Sequence, residues 1–168
     1  YGDGMIFVAQ NGGAVEAFNA DTLEPLWRYT GTASGSGRSQ MRYADGYVYV
    51  GYYVAPSRDA QWICLSATDE DPTRGDEKKV ATWTLSHMSG FYFAGCYTND
   101  KYIFITSDGG NGSYPGTLYC LDKKTGEILQ KIPVRIRASE LRAGIFHHKS
   151  NNYLLTPLCK SSNFVRNS

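Results

Sequence analysis

The feature that most constrains this chain is a short pattern that recurs along it. The clearest copy is CLDKKTGEILQ, Cys120 to Gln130, which follows the β-rich run YIFIT. An earlier copy, AFNADTLEPLW, spans Ala17 to Trp27 and follows MIFVA. A third, CLSATDEDP, begins at Cys64 after YVYVGYY and reaches its bulky closing residue, Trp83, only after an insertion. Each copy runs from a small residue through a polar turn to a large residue, so the unit is a strand, a tight turn and a returning strand. A unit this small cannot bury its apolar face alone. Neighbouring units must stack to make a core.

Taken in order, DGMIFVA is a turn followed by β-formers and NGG at 11–13 is a hairpin turn. AVEAF, NADTLE and PLWRYT then supply a partner strand, a turn and a return. GTASGSG, 31–37, reads as a flexible connection. The second unit holds SQMRYA, a turn at Asp45 and Gly46, YVYVGYY, the loop VAPSRDA, WICLSA and the closing strand VATWTL. Between the last two lies DEDPTRGDEKK, 69–79, a polar insertion expected to lengthen a turn and leave the strands intact. The third unit runs from GFYFAGCY through a turn at Asn99 and Asp100 to YIFIT, the Gly-rich loop SDGGNGSYPG, TLYCLD and EILQKIPV. A fourth opens with RAGIFHH and YLLTP.

The turn positions Asp3, Asp45, Asp100 and Asn151 recur after 42, 55 and 51 residues, near the period of four-stranded propeller blades. The expected architecture is therefore all-β: a β-propeller of four-stranded antiparallel blades, about three complete and part of another. Its units fall near 1–37, 38–88, 89–138 and 139–168.

Composition agrees and narrows the function classes. With 14% aromatic residues and 18 Gly in 168 residues, the chain has the profile of a β-rich protein with many tight turns. A net charge of +1 carries no general polyanion-binding surface, so nucleic acid is not an expected partner. No apolar run approaches the length of a transmembrane helix. The four cysteines form no CxxC pair and do not read as a disulfide framework or a zinc site. Cys64 and Cys120 fall at the repeat position that Ala17 fills, where a small buried residue suffices.

These residues resemble the docking motif AxDxxTGxxxW of the pyrroloquinoline-quinone-like (PQQ-like) repeat, found in quinoprotein dehydrogenases and in propeller lipoproteins of outer-membrane assembly. The first copy is similar at Ala17, Thr22 and Trp27, with Asn19 for Asp and Leu23 for Gly. The copy in the third unit is similar at Asp122, Thr125 and Gly126, with Cys120 for Ala and Gln130 for Trp. The second keeps Cys64, Ser66 and Trp83. Physically, the small residue admits a neighbouring indole, the polar side chains satisfy turn amides, and Gly permits positive φ. Trp then clamps one blade to the next. Gln130 predicts a weaker clamp.

The resemblance implies a fragment of a seven- or eight-bladed propeller in an extracytoplasmic setting. An open arc exposes sheet edges and apolar faces, so the remaining blades come from the rest of the chain or from a second copy.

A propeller is a scaffold for many activities, so function is read from its loops. VAPSRDA, SDGGNGSYPG, GTASGSG, SHMSG and RIRASE emerge on one face, with Arg58, His87, Tyr114, Arg135, Arg137 and Arg142 as candidate partner-binding residues. Other motifs carry less. His147 and His148 are adjacent on an expected strand and point to opposite faces. SDGGNG lacks the later Glu of a calcium loop, and the sequon Asn111, Gly112, Ser113 is a triplet that arises readily by chance. Asp69, Glu70, Asp71, Asp76 and Glu77 read as a solvated turn.

No catalytic residue, cofactor or metal is assigned. The expected function is a non-catalytic scaffold that binds a protein or glycan partner through its loop face. The alternative implied by the resemblance is part of a PQQ- and calcium-dependent alcohol or sugar dehydrogenase. Against it, the inner strands SQMRYA, GFYFAGCY and RAGIFHH contain no carboxylate. The chain also lacks the adjacent Cys pair found over the quinone in many such enzymes.

Overall fold

The computed structural model describes residues 1–31, 39–54, 59–88, 90, 91, 95–107 and 116–134. These residues contain twelve strands and no helix. The strands are β1 (Met5–Ala9), β2 (Ala14–Asn19), β3 (Pro25–Thr30), β4 (Arg42–Ala44), β5 (Tyr47–Gly51), β6 (Asp59–Ser66), β7 (Glu77–Lys78), β8 (Trp83–Met88), β9 (Cys96–Thr98), β10 (Tyr102–Thr106), β11 (Gly116–Asp122) and β12 (Ile128–Val134). They make three four-stranded sheets, ordered β1-β2-β3-β7, β4-β5-β6-β8 and β9-β10-β11-β12. The second and third sheets are antiparallel meanders.

Local chemistry sets the turns. Asp3 and Gly4 (φ 53° and 73°) and Asp45 and Gly46 (50° and 78°) have the two consecutive positive φ values of a type I′ hairpin turn, whose twist matches the strands it joins. In the third unit Asn99 does this work differently: its side-chain oxygen accepts from the amides of Lys101 (2.9 Å) and Tyr102 (2.8 Å).

Strand alternation then sorts the side chains into two cores. In β5 and β6, Val48, Val50, Ile63 and Leu65 join Met5, Val15, Ala17 and Trp27 between the first and second sheets. Tyr49, Trp62 and Cys64, one residue out of phase, join Cys96, Ile103, Ile105, Tyr119 and Leu121 between the second and third. The second sheet is thus covered on both faces, and YVYVG and WICL read as continuous apolar runs for that reason.

Three expectations need correction. The first sheet is not purely antiparallel: its outer strand β7 comes from the insertion and pairs parallel to β3, with Trp27 opposite Glu77 and Arg28 opposite Lys78. Residues 69–79 therefore do more than lengthen a turn, because crossing to the neighbouring sheet pairs the outer edge of β3 and gives the insertion's own backbone partners. The acidic run is not all solvated either. The Glu77 side chain is only 13% exposed and holds a buried Lys79.

The third correction concerns the cysteines. Cys64 and Cys96 are free thiols, whereas Cys120 is disulfide-bonded. Cys120 alternates with Leu121 and so faces away from the core of the second and third sheets. Its Sγ is available there to another thiol.

Candidate functional site

The strands have two ends. At one lie the β4–β5 and β9–β10 turns together with the β2–β3, β6–β8 and β11–β12 connections; at the other lie the β1–β2, β5–β6, β8–β9 and β10–β11 connections. They are called here the turn end and the loop end.

At the turn end the repeated motif makes a set of matched contacts. Ala17 pairs with Trp27, Cys64 with Trp83 and Cys120 with Gln130, so the three small residues and the three closing residues occupy one register position. Asp122 Oδ1 accepts from the amides of Lys124 and Thr125 (both 2.9 Å) and from Thr125 Oγ1 (3.1 Å). Those bonds, the Thr125 amide foremost, hold its carboxyl below the usual range. Asn19 Oδ1 does the same for Asp21 (2.9 Å) and Thr22 (3.0 Å), which explains why the amide substitutes for the acid. Thr22 and Thr125 each accept from the amide two residues on, Glu24 at 3.3 Å and Glu127 at 3.2 Å. Ser66 keeps a weaker form of this turn, accepting from Thr68 N at 3.3 Å.

The closing tryptophans reach across to the next sheet. Trp27 Nε1 donates to the Ala67 carbonyl (3.2 Å), and Trp83 Nε1 donates to the Lys123 carbonyl (3.0 Å). Each acceptor stands three residues after the small residue of the following unit. Gly126 (φ 73°) lies under the second indole: a Cβ there would sit 2.6 Å from a ring carbon of Trp83. Leu23 adopts the same left-handed backbone (φ 61°) with its side chain turned to solvent.

Each junction also holds a buried lysine. Lys123 donates to the Asn99 carbonyl (2.9 Å) and pairs with Asp45, bridging the β9–β10 and β4–β5 turns. Lys79 pairs with Glu77 (2.8 Å) and Glu70 (3.3 Å), donates to the Thr68 carbonyl, and lies 5.7 Å from the Trp27 ring centroid. The sequence signal for Lys123 is its place directly after the motif Asp; for Lys79 there is none.

At the loop end the second and third sheets share a group of aromatic side chains. His87, near the end of β8, is half-buried, and its Nδ1 lies 2.6 Å from the Tyr119 hydroxyl on β11. Phe91 packs edge-on to Trp62 (5.5 Å) and beside His87 (6.1 Å). Burial raises the Tyr119 hydroxyl above its ordinary pKa. Gly90 (φ 80°) allows this turn, because a Cβ there would lie 2.4 Å from the Tyr52 carbonyl and 2.5 Å from Ala60 Cβ. Of the six residues expected to meet a partner, only His87 is described. Arg58, Tyr114, Arg135, Arg137 and Arg142 lie outside the described residues, as do His147, His148, Asn111 and the SDGGNG loop beyond Ser107.

The two free thiols sit in the core between the second and third sheets. Burial pushes Cys64 and Cys96 each up to about 12, so both stay protonated at neutral pH and are poor nucleophiles.

Sheets with aligned ends, stacked face to face and clamped at matched register, define a β-propeller arc. Among solved structures the chain is similar to BamB from Moraxella catarrhalis, with a TM-score of 0.53 and 17% identity; the match covers 80% of this chain and 34% of that one. The chain thus spans about a third of that protein's length. No family model and no curated protein matches the sequence.

Proposed function

We propose that this chain is a non-catalytic propeller scaffold that binds a protein partner through its loop end, in an extracytoplasmic setting. The observation that carries the reading is the difference between the two ends. At the turn end the polar side chains of the motif are engaged within the fold, by turn amides, cross-sheet carbonyls and buried lysines. At the loop end an aromatic group, Trp62, Phe91, His87 and Tyr119, stands behind the connections 52–58, 89–95 and 107–115, whereas the longest connection, 67–82, lies at the turn end and is pinned to the first sheet by β7. Loops on a rigid framework are where binding residues concentrate, and aromatic and Arg side chains are the common anchors of protein interfaces. Arg58, Tyr114, Arg135 and Arg137 are the residues this reading assigns to contact.

Photo-crosslinking in the source cells tests it. A crosslinkable residue at position 58 or 135 is expected to capture one discrete protein, and the same residue at exposed Lys124 to capture none. Capture from position 124 alone, saturable glycan binding without a protein partner, or turnover of an alcohol or sugar with added PQQ and calcium each overturns the reading.

A further inference from the structure

The insertion joins elements that the chain order separates. It leaves the second sheet after β6, crosses to the outer edge of the first, pairs there as β7, and returns to the second sheet as β8. Lys79 N donates to the Arg28 carbonyl (2.9 Å), extending the pairing by one bond. Gly75 passes so close to β3 that a Cβ would lie 2.8 Å from the Pro25 carbonyl oxygen. One carboxylate gathers the crossing: Glu77 Oε2 accepts from the amides of Glu70 and Asp71 (both 2.9 Å), while Oε1 pairs with Lys79. The Lys79 side chain is only 4% exposed and sits against the indole that clamps the two sheets.

We propose that residues 68–79 form a strap that fastens the first sheet to the second from outside and guards the β3 edge, and that it opens as a unit when Glu77 lets go. Two physical arguments support this. Pro72 is the only apolar side chain among residues 68–79, and the crossing's order comes from the polar bonds named above. Segments held this way open locally well before the whole domain unfolds. Opening also strips β3 of its outer partner, and an unpaired strand edge is a template for pairing with another chain. The partner expected at the bared edge is a second copy of this protein.

Hydrogen exchange on the intact protein, followed residue by residue, tests the proposal without any variant. The amides of Glu70, Asp71 and Lys79 are expected to exchange together, at a rate faster than those of β5, β6, β10 and β11. Glu77→Gln keeps the shape and removes the charge-assisted bonds. It should speed those strap amides by about tenfold or more, leave β9–β12 unchanged, and raise the dimer fraction in sedimentation at high concentration. Replacing residues 66–82 by the short third-unit connection, DKKTGEIL (122–129), keeps Trp83 ten residues after Cys64 and should give a protein that self-associates outright. Exchange of the strap in step with global unfolding, or a Glu77→Gln protein with unaltered strap exchange and no added dimer, overturns the proposal. If the shortened protein fails to fold, the exchange pattern of the intact protein still decides.

Discussion

The junction between the first and second sheets and that between the second and third use the same parts drawn from different places. In both, an indole N–H bonds a carbonyl three residues past the small motif residue, and a buried ammonium closes the turn end. At the second junction glycine and lysine belong to the motif copy itself, as Gly126 and Lys123. At the first, the motif copy in the second unit is interrupted, and the lysine arrives eleven residues after Thr68 on the far side of the insertion. What recurs is the clamp from indole to carbonyl; the cations differ. Lys123 ties the β9–β10 turn to Asp45 of the β4–β5 turn, whereas Lys79 lies over the Trp27 ring and bonds Glu70, Glu77 and the Thr68 carbonyl of its own segment.

The largest effect should come from removing the shared part. Trp27→Ala and Trp83→Ala are each expected to lower unfolding free energy in urea by about 3–5 kcal/mol, as deletion of a buried large aromatic does. Gln130→Ala, at the equivalent register position, should cost less than about 1 kcal/mol. If Trp27→Ala left the transition in place while Gln130→Ala moved it, the equivalence of the three positions would be wrong.

Next come the parts that differ. Gly126→Ala adds a Cβ against Trp83 and strains a positive φ, so it should destabilise by about 1–3 kcal/mol. Lys79→Met leaves the mostly buried Glu77 without its cation and should cost about 2–4 kcal/mol. Lys123→Met leaves only the largely solvated Asp45 unpaired and should cost about 1–2 kcal/mol. Equal losses at the two sites would mean that Glu77 finds another partner or solvent once Lys79 is gone.

A pH series separates the junctions further. Burial raises the Glu77 pKa, but Lys79 and the amides of Asp71 and Glu70 outweigh it and hold the carboxyl below its ordinary value. A lowered folded-state pKa contributes stability above the unfolded value, near 4.5, that is lost as pH falls through the folded one. Asp69 runs the other way: burial and the neighbouring Glu77 raise it, so its charged form is a penalty that shrinks on acidification. Acid melts should therefore lose less stability below pH 5 in Glu77→Gln than in the parent, and more in Asp69→Asn.

The smallest expected effect is a gain. Leu23→Gly relieves a left-handed backbone at an exposed turn with no indole above it among the described residues, for about 0.5–1 kcal/mol. An unchanged or lowered midpoint would mean that Leu23 makes a contact worth more than its strain.

Much of this was legible in the residues. Ala17, Cys64 and Cys120 announce one register position, and the runs before them announce strands, because period-two burial and turn chemistry are local properties. The candidate site was legible only in outline. His87 reads as a loop-end residue, but nothing nearby in sequence signals Tyr119, thirty-two residues on, as its partner.

What the sequence determined by itself is the repeated strand, turn and strand, the all-β class and the places of the closing tryptophans. These follow from spacing within a few residues of chain. The tertiary structure decided the rest: that Glu77 and Lys78 complete the first sheet in parallel, that Lys79 and Lys123 serve matching junctions, and that Cys120 is a disulfide rather than a plain small residue. Pairing between segments that are distant along the chain depends on which edges and charges meet once the sheets stack. No periodicity within either segment encodes that meeting.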